Sequence, residues 1–258
     1  MDDLKGKMAL VTGVANKRSI AYAIAADLSR RGARVAVAYL PLGKDKAESR
    51  VQEIAKEVGA ELLLPLDASE PESIRALFAR LRQEWGTLHV LVHAIATAKR
   101  EELAGAFSDI SLDGYLLAQT VSAYSLIAMV REARDLLVKG VGSVIALSYI
   151  GAVRASPNYN VMGSAKAALE ANVRYLAMEL GPRNVRVNAV SAGPIRTLSA
   201  SGIRDFLDIM HTAAQYAPLK RNIEPEEVAH LVSFLSSGIA SGITGQVIYV
   251  DGGFSIFG

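Results

Sequence analysis

Seven short apolar runs, separated by stretches with helical patterning, constrain the fold of this chain more than any other feature. Continuous apolar strands with helices between them indicate a parallel sheet that is covered on both faces. Right-handed crossovers then predict one doubly wound, Rossmann-type α/β domain over residues 1–258, whose ligands bind beyond the carboxyl ends of the strands. The predicted strands are 8–12, 34–39, 62–66, 90–93, 143–148, 186–192 and 247–250.

The helical patterns lie between these strands, and two of them are long. We expect helices from Ile20, over about 45–58, from the turn after Ser69 to about Glu84, over about 112–138 and over about 159–180. Ser69-Glu-Pro-Glu72 matches a capping box with Pro in the first turn, which predicts that Ser69 caps the third helix.

The composition argues against several classes of function. Without cysteine the chain has no disulfides, no thiolate catalysis and no cysteine metal site. A net charge of +2 without a block of like charges gives no sign of nucleic-acid binding, and the four scattered histidines favour structural roles. No apolar run approaches the roughly 18 residues of a membrane span, and the N-terminus is unlike a signal peptide. We therefore expect a soluble, cytoplasmic protein that binds neither nucleic acid nor membrane.

Tyr159 and Lys166 are the strongest candidates for chemistry. Seven helical steps place two side chains on one face, roughly 10 Å apart. A Tyr hydroxyl can donate a proton, and a nearby ammonium favours its charged form. Such a pair usually just covers a surface, but it follows a predicted strand that ends at Ser148-Tyr149. That position favours an active site.

The segment 12–20, between the first strand and the first helix, has features of a phosphate site. Gly13 allows a sharp turn and close approach of a phosphate, and the helix N-terminus offers unpaired N–H groups. Ser19 is placed as an N-cap or a phosphate donor. Gly13 is the loop's only glycine, so an ordinary strand-to-helix turn remains the alternative. Asp67, after the third strand, is a candidate acceptor for an adenine amino group or a simple helix cap.

The end of the second strand bears on the type of cofactor. Residues 39–44 contain neither the acid that often binds the NAD ribose nor an Arg. Lys44 and Lys46 lie nearby and could meet a 2′-phosphate, although both could simply be solvated. We expect NADH, with NADPH as the alternative.

Several motifs resemble a known superfamily. Thr12-Gly-x5-Ser-Ile20, Arg186-Val-Asn-Ala-Val and Val250-Asp-Gly-Gly resemble the short-chain dehydrogenases/reductases. Within them, four runs resemble the bacterial, NADH-using enoyl-acyl carrier protein reductases of fatty-acid synthesis. The runs are Gly13-Val-Ala-Asn-Lys-Arg-Ser-Ile20, Ser148-Tyr-Ile-Gly151, Pro157-Asn-Tyr-Asn-Val-Met162 and Ser191-Ala-Gly-Pro-Ile-Arg-Thr197. The resemblance covers nearly the whole chain.

Departures from the wider superfamily point to the same family. Ordinary members carry Tyr-x3-Lys, which would place the acid at Met162, and their catalytic Ser would stand at Tyr149. Their Asn-Ala-Gly after the fourth strand is replaced by His93-Ala-Ile-Ala96. A ketone or alcohol reductase of the usual kind is therefore disfavoured. A reductase of another carbonyl or enone, or an idle nucleotide-binding protein, remains an alternative.

The resemblance implies reduction of the 2,3 double bond of trans-2-enoyl-acyl carrier protein by NADH. It implies that Tyr159 hydrogen-bonds the thioester oxygen, that Lys166 holds the nicotinamide ribose, and that Tyr149 has a secondary role. Ala98 and Met162 would complete the acyl site. The implied cofactor residues are Gly13, Ser19, Ile20, Leu40, Asp67, Ala68, Ile95, Lys166, Ile195 and Thr197.

Some positions depart from the family itself. Leu40 stands where the family often has Gln, Ala96 replaces a Gly, and Thr97 replaces an aromatic residue. An acidic carrier protein would dock on a basic rim. The family often has basic residues in the helix after the mobile segment, and here residues 203–208 retain only Arg204. The resemblance also implies a homotetramer that uses helices 112–138 and 161–180. We expect residues 198–217 to cover the substrate.

Overall fold

The computed structural model describes residues 4–41, 43, 45–197 and 200–257, without the side chains of residues 45–47 and 201. Its centre is a seven-stranded sheet of order β3-β2-β1-β4-β5-β6-β7, in which every neighbouring pair is parallel. The strands are β1 Met8–Thr12, β2 Arg34–Tyr39, β3 Leu62–Pro65, β4 Val90–His93, β5 Ser143–Ser148, β6 Arg186–Ala192 and β7 Val247–Val250. This confirms the predicted doubly wound sheet. Only β3 ends a residue early, where the chain bends into the turn at Asp67.

Eight α-helices are present in the described part of the chain. They are α1 Ile20–Arg30, α2 Asp45–Glu57, α3 Pro71–Glu84, α4 Leu112–Gln119, α5 Ser125–Gly140, α6 Asn160–Leu180, α7 Phe206–Tyr216 and α8 Pro225–Ser236. None of the described helices has the length and apolar character needed to cross a bilayer.

The helices cover both faces of the sheet, because alternate strand residues point to opposite sides. Leu10, Leu91 and Val144 face a core shared with α3, α5 and α6. Their neighbours Val11, Val92 and Ile145 face a second core shared with α1 and α8. The sheet is therefore buried on both sides, and the carboxyl ends of its strands are left to form a site.

The predicted helix 112–138 is interrupted. A π-helical turn, Thr120–Tyr124, separates α4 from α5. Within it the Ser122 hydroxyl accepts from the Thr97 N–H at 3.0 Å and donates to the Thr97 carbonyl at 3.2 Å. Such wide turns keep an apolar periodicity nearly intact while they re-aim a few side chains, and they are frequent at functional sites.

The predicted capping box at Ser69 is wrong. Glu70 is the N-cap of α3 and makes no side-chain capping bond, and Pro71 opens the helix. The Ser69 hydroxyl instead donates to Asp67 Oδ1 at 2.5 Å, and the Ser69 N–H donates to the same oxygen at 2.9 Å. Because its hydroxyl closes the Asp67 turn, Ser69 does not cap the helix.

Candidate active site

Tyr159 lies just outside α6. Its φ of −121° and ψ of −2° make it the N-cap of the helix, which begins at Asn160 and not at Tyr159 as predicted. Asn158, directly before it, has a φ of 58°, a left-handed conformation that Asn tolerates better than most residues. The turn this produces delivers the Tyr159 ring to the carboxyl end of β5.

Tyr149 and Tyr159 form an aromatic pair. Their ring centroids are 4.8 Å apart and their planes are tilted by 59°. Gly151 makes room for the pair, because a Cβ there would lie 2.6 Å from Tyr159 Cδ1 and 3.2 Å from Tyr149 Cδ1. Gly163 on α6 fits against the Gly151 carbonyl, which a Cβ would approach to 2.9 Å. The run Ser148–Gly151 and α6 are thus packed as closely as glycine allows.

The Tyr159 phenol is a neutral donor in this environment. Its side chain is half-buried, and the loss of water raises its pKa above the ordinary value, with a smaller contribution from Tyr149. In the described residues no other group is hydrogen-bonded to the Tyr159 hydroxyl. The hydroxyl can therefore donate to a ligand oxygen over the whole neutral range.

Lys166 is buried at the same end of the sheet, with 5% of its surface exposed. Its ammonium donates to the Leu147 carbonyl of β5 at 2.7 Å, which leaves two N–H groups for other acceptors. Burial lowers the pKa of Lys166 to about 8, and the carboxylate of Glu170 opposes that shift. The Lys166 ammonium is thus buried and held on β5.

An apolar cluster packs against Tyr159. Met162 is 5% exposed within it, so the position of the usual acid carries a thioether that closes the wall. Ala98 and Ile203 pack against the same cluster from two loops. Such a surface suits an acyl chain. The buried members are Leu103, Ala118, Val161, Met162 and Ala165.

The loop after β1 is built for close backbone approach. Gly13 has a φ of 79°, and a Cβ there would lie 2.1 Å from the Ala94 carbonyl oxygen, so no other residue fits. Ile95 lies against the same point, 3.5 Å from that Cβ position. Ser19 is the N-cap of α1, as predicted, because its hydroxyl accepts from the Tyr22 N–H at 3.1 Å. Ile20 is the first helical residue, where a helix offers unpaired N–H groups.

The ends of β2 and β3 carry the remaining residues predicted on that side. Leu40 is 53% exposed after β2. One Asp67 oxygen closes the turn at Ser69, so Asp67 is not the cap of α3, whose N-cap is Glu70. Ala68 is buried beside it, and the adenine role of Asp67 stays a prediction. Lys44 and the side chain of Lys46 lie outside the described residues, so the expectation placed on them rests on the sequence.

At the end of β6, Ile195 is buried against the second core, and Thr197 follows it. The Thr197 N–H donates to the Ile195 carbonyl at 2.8 Å, and its hydroxyl accepts from the Ala200 N–H at 3.1 Å. These bonds fix the start of the segment predicted to cover the substrate. Leu198 and Ser199 lie outside the described residues.

The predicted structural role of His93 is confirmed. Its ring is fully buried, Nε2 lies 2.7 Å from Ser125 Oγ, and burial lowers its pKa to about 3, so it is neutral. Within the described ranges no group of three His, Cys, Asp or Glu residues could hold a metal ion.

Residues that sequence reasoning missed flank Tyr159 on both sides. Asn158 Nδ2 donates to the Arg204 carbonyl at 3.0 Å, and Asn160 Nδ2 donates to the Gly105 carbonyl at 3.1 Å. Each amide ties the Tyr159 turn to a different loop beside the apolar cluster. The sequence signal for these residues was the Asn-Tyr-Asn triplet. The sequence alone does not show that its two amides reach those loops.

The chain is similar along its whole length to known proteins. Residues 13–255 match the family model described as enoyl-(acyl carrier protein) reductase. The chain is 49% identical over 258 residues, all of both chains, to the enoyl-acyl-carrier-protein reductase (NADH) FabI of a Nostoc species.

Crystal structures of such reductases share its fold. The Bacillus cereus enoyl-acyl carrier protein reductase with NADP+ and indole naphthyridinone is 46% identical, with a TM-score of 0.95 and 100% of both chains covered. The Anaplasma phagocytophilum reductase with NAD is 41% identical, with a TM-score of 0.94 and 99% of this chain and 96% of that one covered. This chain belongs to the enoyl-(acyl carrier protein) reductase family.

Proposed function

We propose that the protein reduces the 2,3 double bond of trans-2-enoyl thioesters of acyl carrier protein, with NADH as reductant, in fatty-acid elongation. The observation that carries this proposal is that α6 brings a neutral Tyr159 donor and the buried Lys166 charge to the carboxyl end of β5, while Met162 fills the position of the usual acid, one helical turn nearer to Lys166. Membership of the reductase family and the NADH in its relatives' names support it.

The chemistry of an enoyl thioester explains why Tyr159 suits it. Bound NADH supplies a hydride to the β carbon, so negative charge develops on the thioester oxygen as an enolate. A preorganised donor aimed at that oxygen stabilises the charge. The neutral phenol of Tyr159 is such a donor, and protonation of the α carbon then gives the saturated thioester.

We assign the cofactor to the ends of the strands. Lys166, with two N–H groups left, would hold the nicotinamide ribose, and Gly13, Ser19 and Ile20 would meet the pyrophosphate. The loop after β1 fits a pyrophosphate, because Gly13 has no side chain to prevent close approach of the backbone. Asp67 and Ala68 would border the adenine, Leu40 its ribose, and Ile95, Ile195 and Thr197 the nicotinamide.

We assign the acyl chain to the apolar cluster beside Tyr159. Ala98 and Met162 would contact the chain, and Tyr149 would line the site next to Tyr159. Residues 198–217 would close over it, since Ile203 already packs on that cluster. Acyl carrier protein would deliver the chain, in the cytoplasm, to the rim that includes Arg204.

We also propose a homotetramer. Large apolar side chains are exposed on α4 and α6, the helices expected to make subunit contacts, and Tyr175 and Met178 are 76% and 81% exposed. Contiguous exposed apolar surface marks protein contacts. Sedimentation equilibrium tests this, and a mass near that of the single 27.5 kDa chain would contradict it.

The proposed reaction is tested by the rate of NADH oxidation with a 2-butenoyl thioester beside a 3-oxobutanoyl thioester. We expect rapid turnover of the enoyl substrate and little of the ketone, because the donor lies at the thioester oxygen and not at the hydride acceptor. NADPH serves as the cofactor control. Faster reduction of the 3-oxoacyl thioester would overturn the assignment.

A further inference from the structure

A buried carboxylate lies one helical turn beyond Lys166. Glu170 is 5% exposed, and the Ser148 hydroxyl donates to its Oε1 at 2.5 Å. Lys166 is bonded to the carbonyl of Leu147, the residue before Ser148 on β5. The two buried ionisable side chains of α6, Lys166 and Glu170, are therefore tied to consecutive residues of the same strand.

Burying a carboxylate is costly unless it is paired and hydrogen-bonded, so a role for this one is expected. Residues at i and i+4 of a helix are neighbours, which places Glu170 beside the Lys166 stem. The other groups that act on the pair are neutral His93 on β4, Arg174 on α6 and Tyr249 on β7. Arg174 is exposed. Burial raises the pKa of the Glu170 carboxyl, whereas the Ser148 hydrogen bond and the charges of Arg174 and Lys166 oppose that rise and favour the charged carboxylate.

We propose that Glu170, held by Ser148, is a positioning residue that keeps Lys166 protonated and directed toward the nicotinamide ribose. The proposal rests on the proposed function, because it assigns a role to a residue that acts on Lys166. The carboxylate does not touch the reacting atoms. It sets the charge state of Lys166, the residue assigned to the nicotinamide ribose.

Removal of the Glu170 charge is expected to lower the pH at which Lys166 loses its proton. Burial lowers the pKa of Lys166 to about 8, and Glu170 raises it. The lysine therefore loses its charge as the pH rises through about 8. Without the Glu170 charge this loss occurs at lower pH, whereas at acidic pH the lysine is charged with or without Glu170.

The decisive variant is Glu170→Gln, which keeps the acceptor for Ser148 and removes the charge. The Kd of NADH is measured by fluorescence from pH 6 to 9.5, and kcat/KM for the 2-butenoyl thioester over the same range. We expect the Kd of NADH to be near the wild-type value at pH 6. As the pH rises, NADH binding should begin to weaken at a pH at least half a unit lower than in the wild type. That displacement corresponds to about a threefold weaker Kd on the alkaline limb, since one unit is tenfold.

Two control variants and one substitute variant complete the test. Glu170→Asp retains the charge and should recover much of the wild-type alkaline limb. Glu179→Gln removes a carboxylate of the same helix that is exposed and paired with Arg134, and it should leave the profile unchanged. If Glu170→Gln does not fold, Glu170→Met removes the same charge at similar volume and has the same expected shift.

Two outcomes would overturn the role of Glu170. One is a Glu170→Gln profile that superimposes on the wild-type profile. The other is equal weakening at every pH, which would indicate a purely structural role. In both cases wild-type turnover of the enoyl thioester, measured in parallel, decides separately whether the proposed function holds.

Discussion

At the scale of single residues, the position of the Tyr159 ring depends on the absence of a side chain at Gly151. Gly151 has an ordinary φ, so its backbone would accept a side chain, but the space is taken by the two aromatic rings. A Cβ there would force Tyr159 or Tyr149 to move. A displacement of about 1 Å in a reacting group can lower a rate on the order of 100-fold.

We therefore expect Gly151→Ala to lower kcat for the enoyl thioester by about 10- to 100-fold with little change in the Kd of NADH. Steady-state kinetics and NADH fluorescence measure the two effects. Gly181→Ala is the matched control, because that glycine has a helical φ of −51° and no atom within 4 Å of the added Cβ. A Gly151→Ala enzyme with the wild-type kcat would show that the ring tolerates displacement.

How far the sequence predicts the site differs between residues. Tyr159 and Lys166 could be found from their spacing, and Ser19 from its place before an apolar helix. Glu170 could not, because a carboxylate on a helix is usually solvated and only the packing against β5 buries it. Ser122 was equally hidden, since its bonds join residues 25 positions apart.

At the scale of elements, the described part of the segment 198–217 has contacts near both ends and an exposed residue between them. A 3-10 turn, Ala200–Gly202, follows Thr197, and the Arg204 carbonyl accepts from Asn158. The end of α7 is better anchored, because Tyr216 stacks on Phe257 with centroids 4.8 Å apart and Ala213 is buried. Early in α7, Leu207 is 62% exposed.

This asymmetry gives a prediction for hydrogen exchange. We expect amides of residues 200–207 to exchange rapidly without ligand and slowly with NAD and an acyl ligand, while the end of α7 is protected in both states. Exchange mass spectrometry with and without both ligands measures this. Strong and equal protection of 200–207 in both states would mean a fixed wall and no closure.

The elements themselves were largely predictable. All seven strands are confirmed, because buried parallel strands are nearly continuous apolar runs. Two exceptions are places where a side-chain hydrogen bond decides the local structure. Helix 112–138 widens at Thr120–Tyr124 where Ser122 meets Thr97, and Ser69 turns to Asp67 and does not cap α3.

At the scale of the whole molecule, the sheet order brings distant parts of the chain to one edge. Tyr159 and Lys166 come from the segment after β5, Gly13 from the turn after β1, and Ile195 from the end of β6. The central claim is that this edge supports hydride transfer to an enoyl thioester with Tyr159 as the donor to its oxygen.

The kcat of Tyr159→Phe tests that claim most directly. The substitution keeps the ring and removes the hydroxyl, and loss of one such donor costs about 2–4 kcal/mol, or roughly 30- to 1000-fold in rate. We predict that loss with saturating 2-butenoyl thioester, chemistry rate-limiting, and an unchanged Kd of NADH. A Tyr159→Phe enzyme with the wild-type kcat under those conditions would contradict the account.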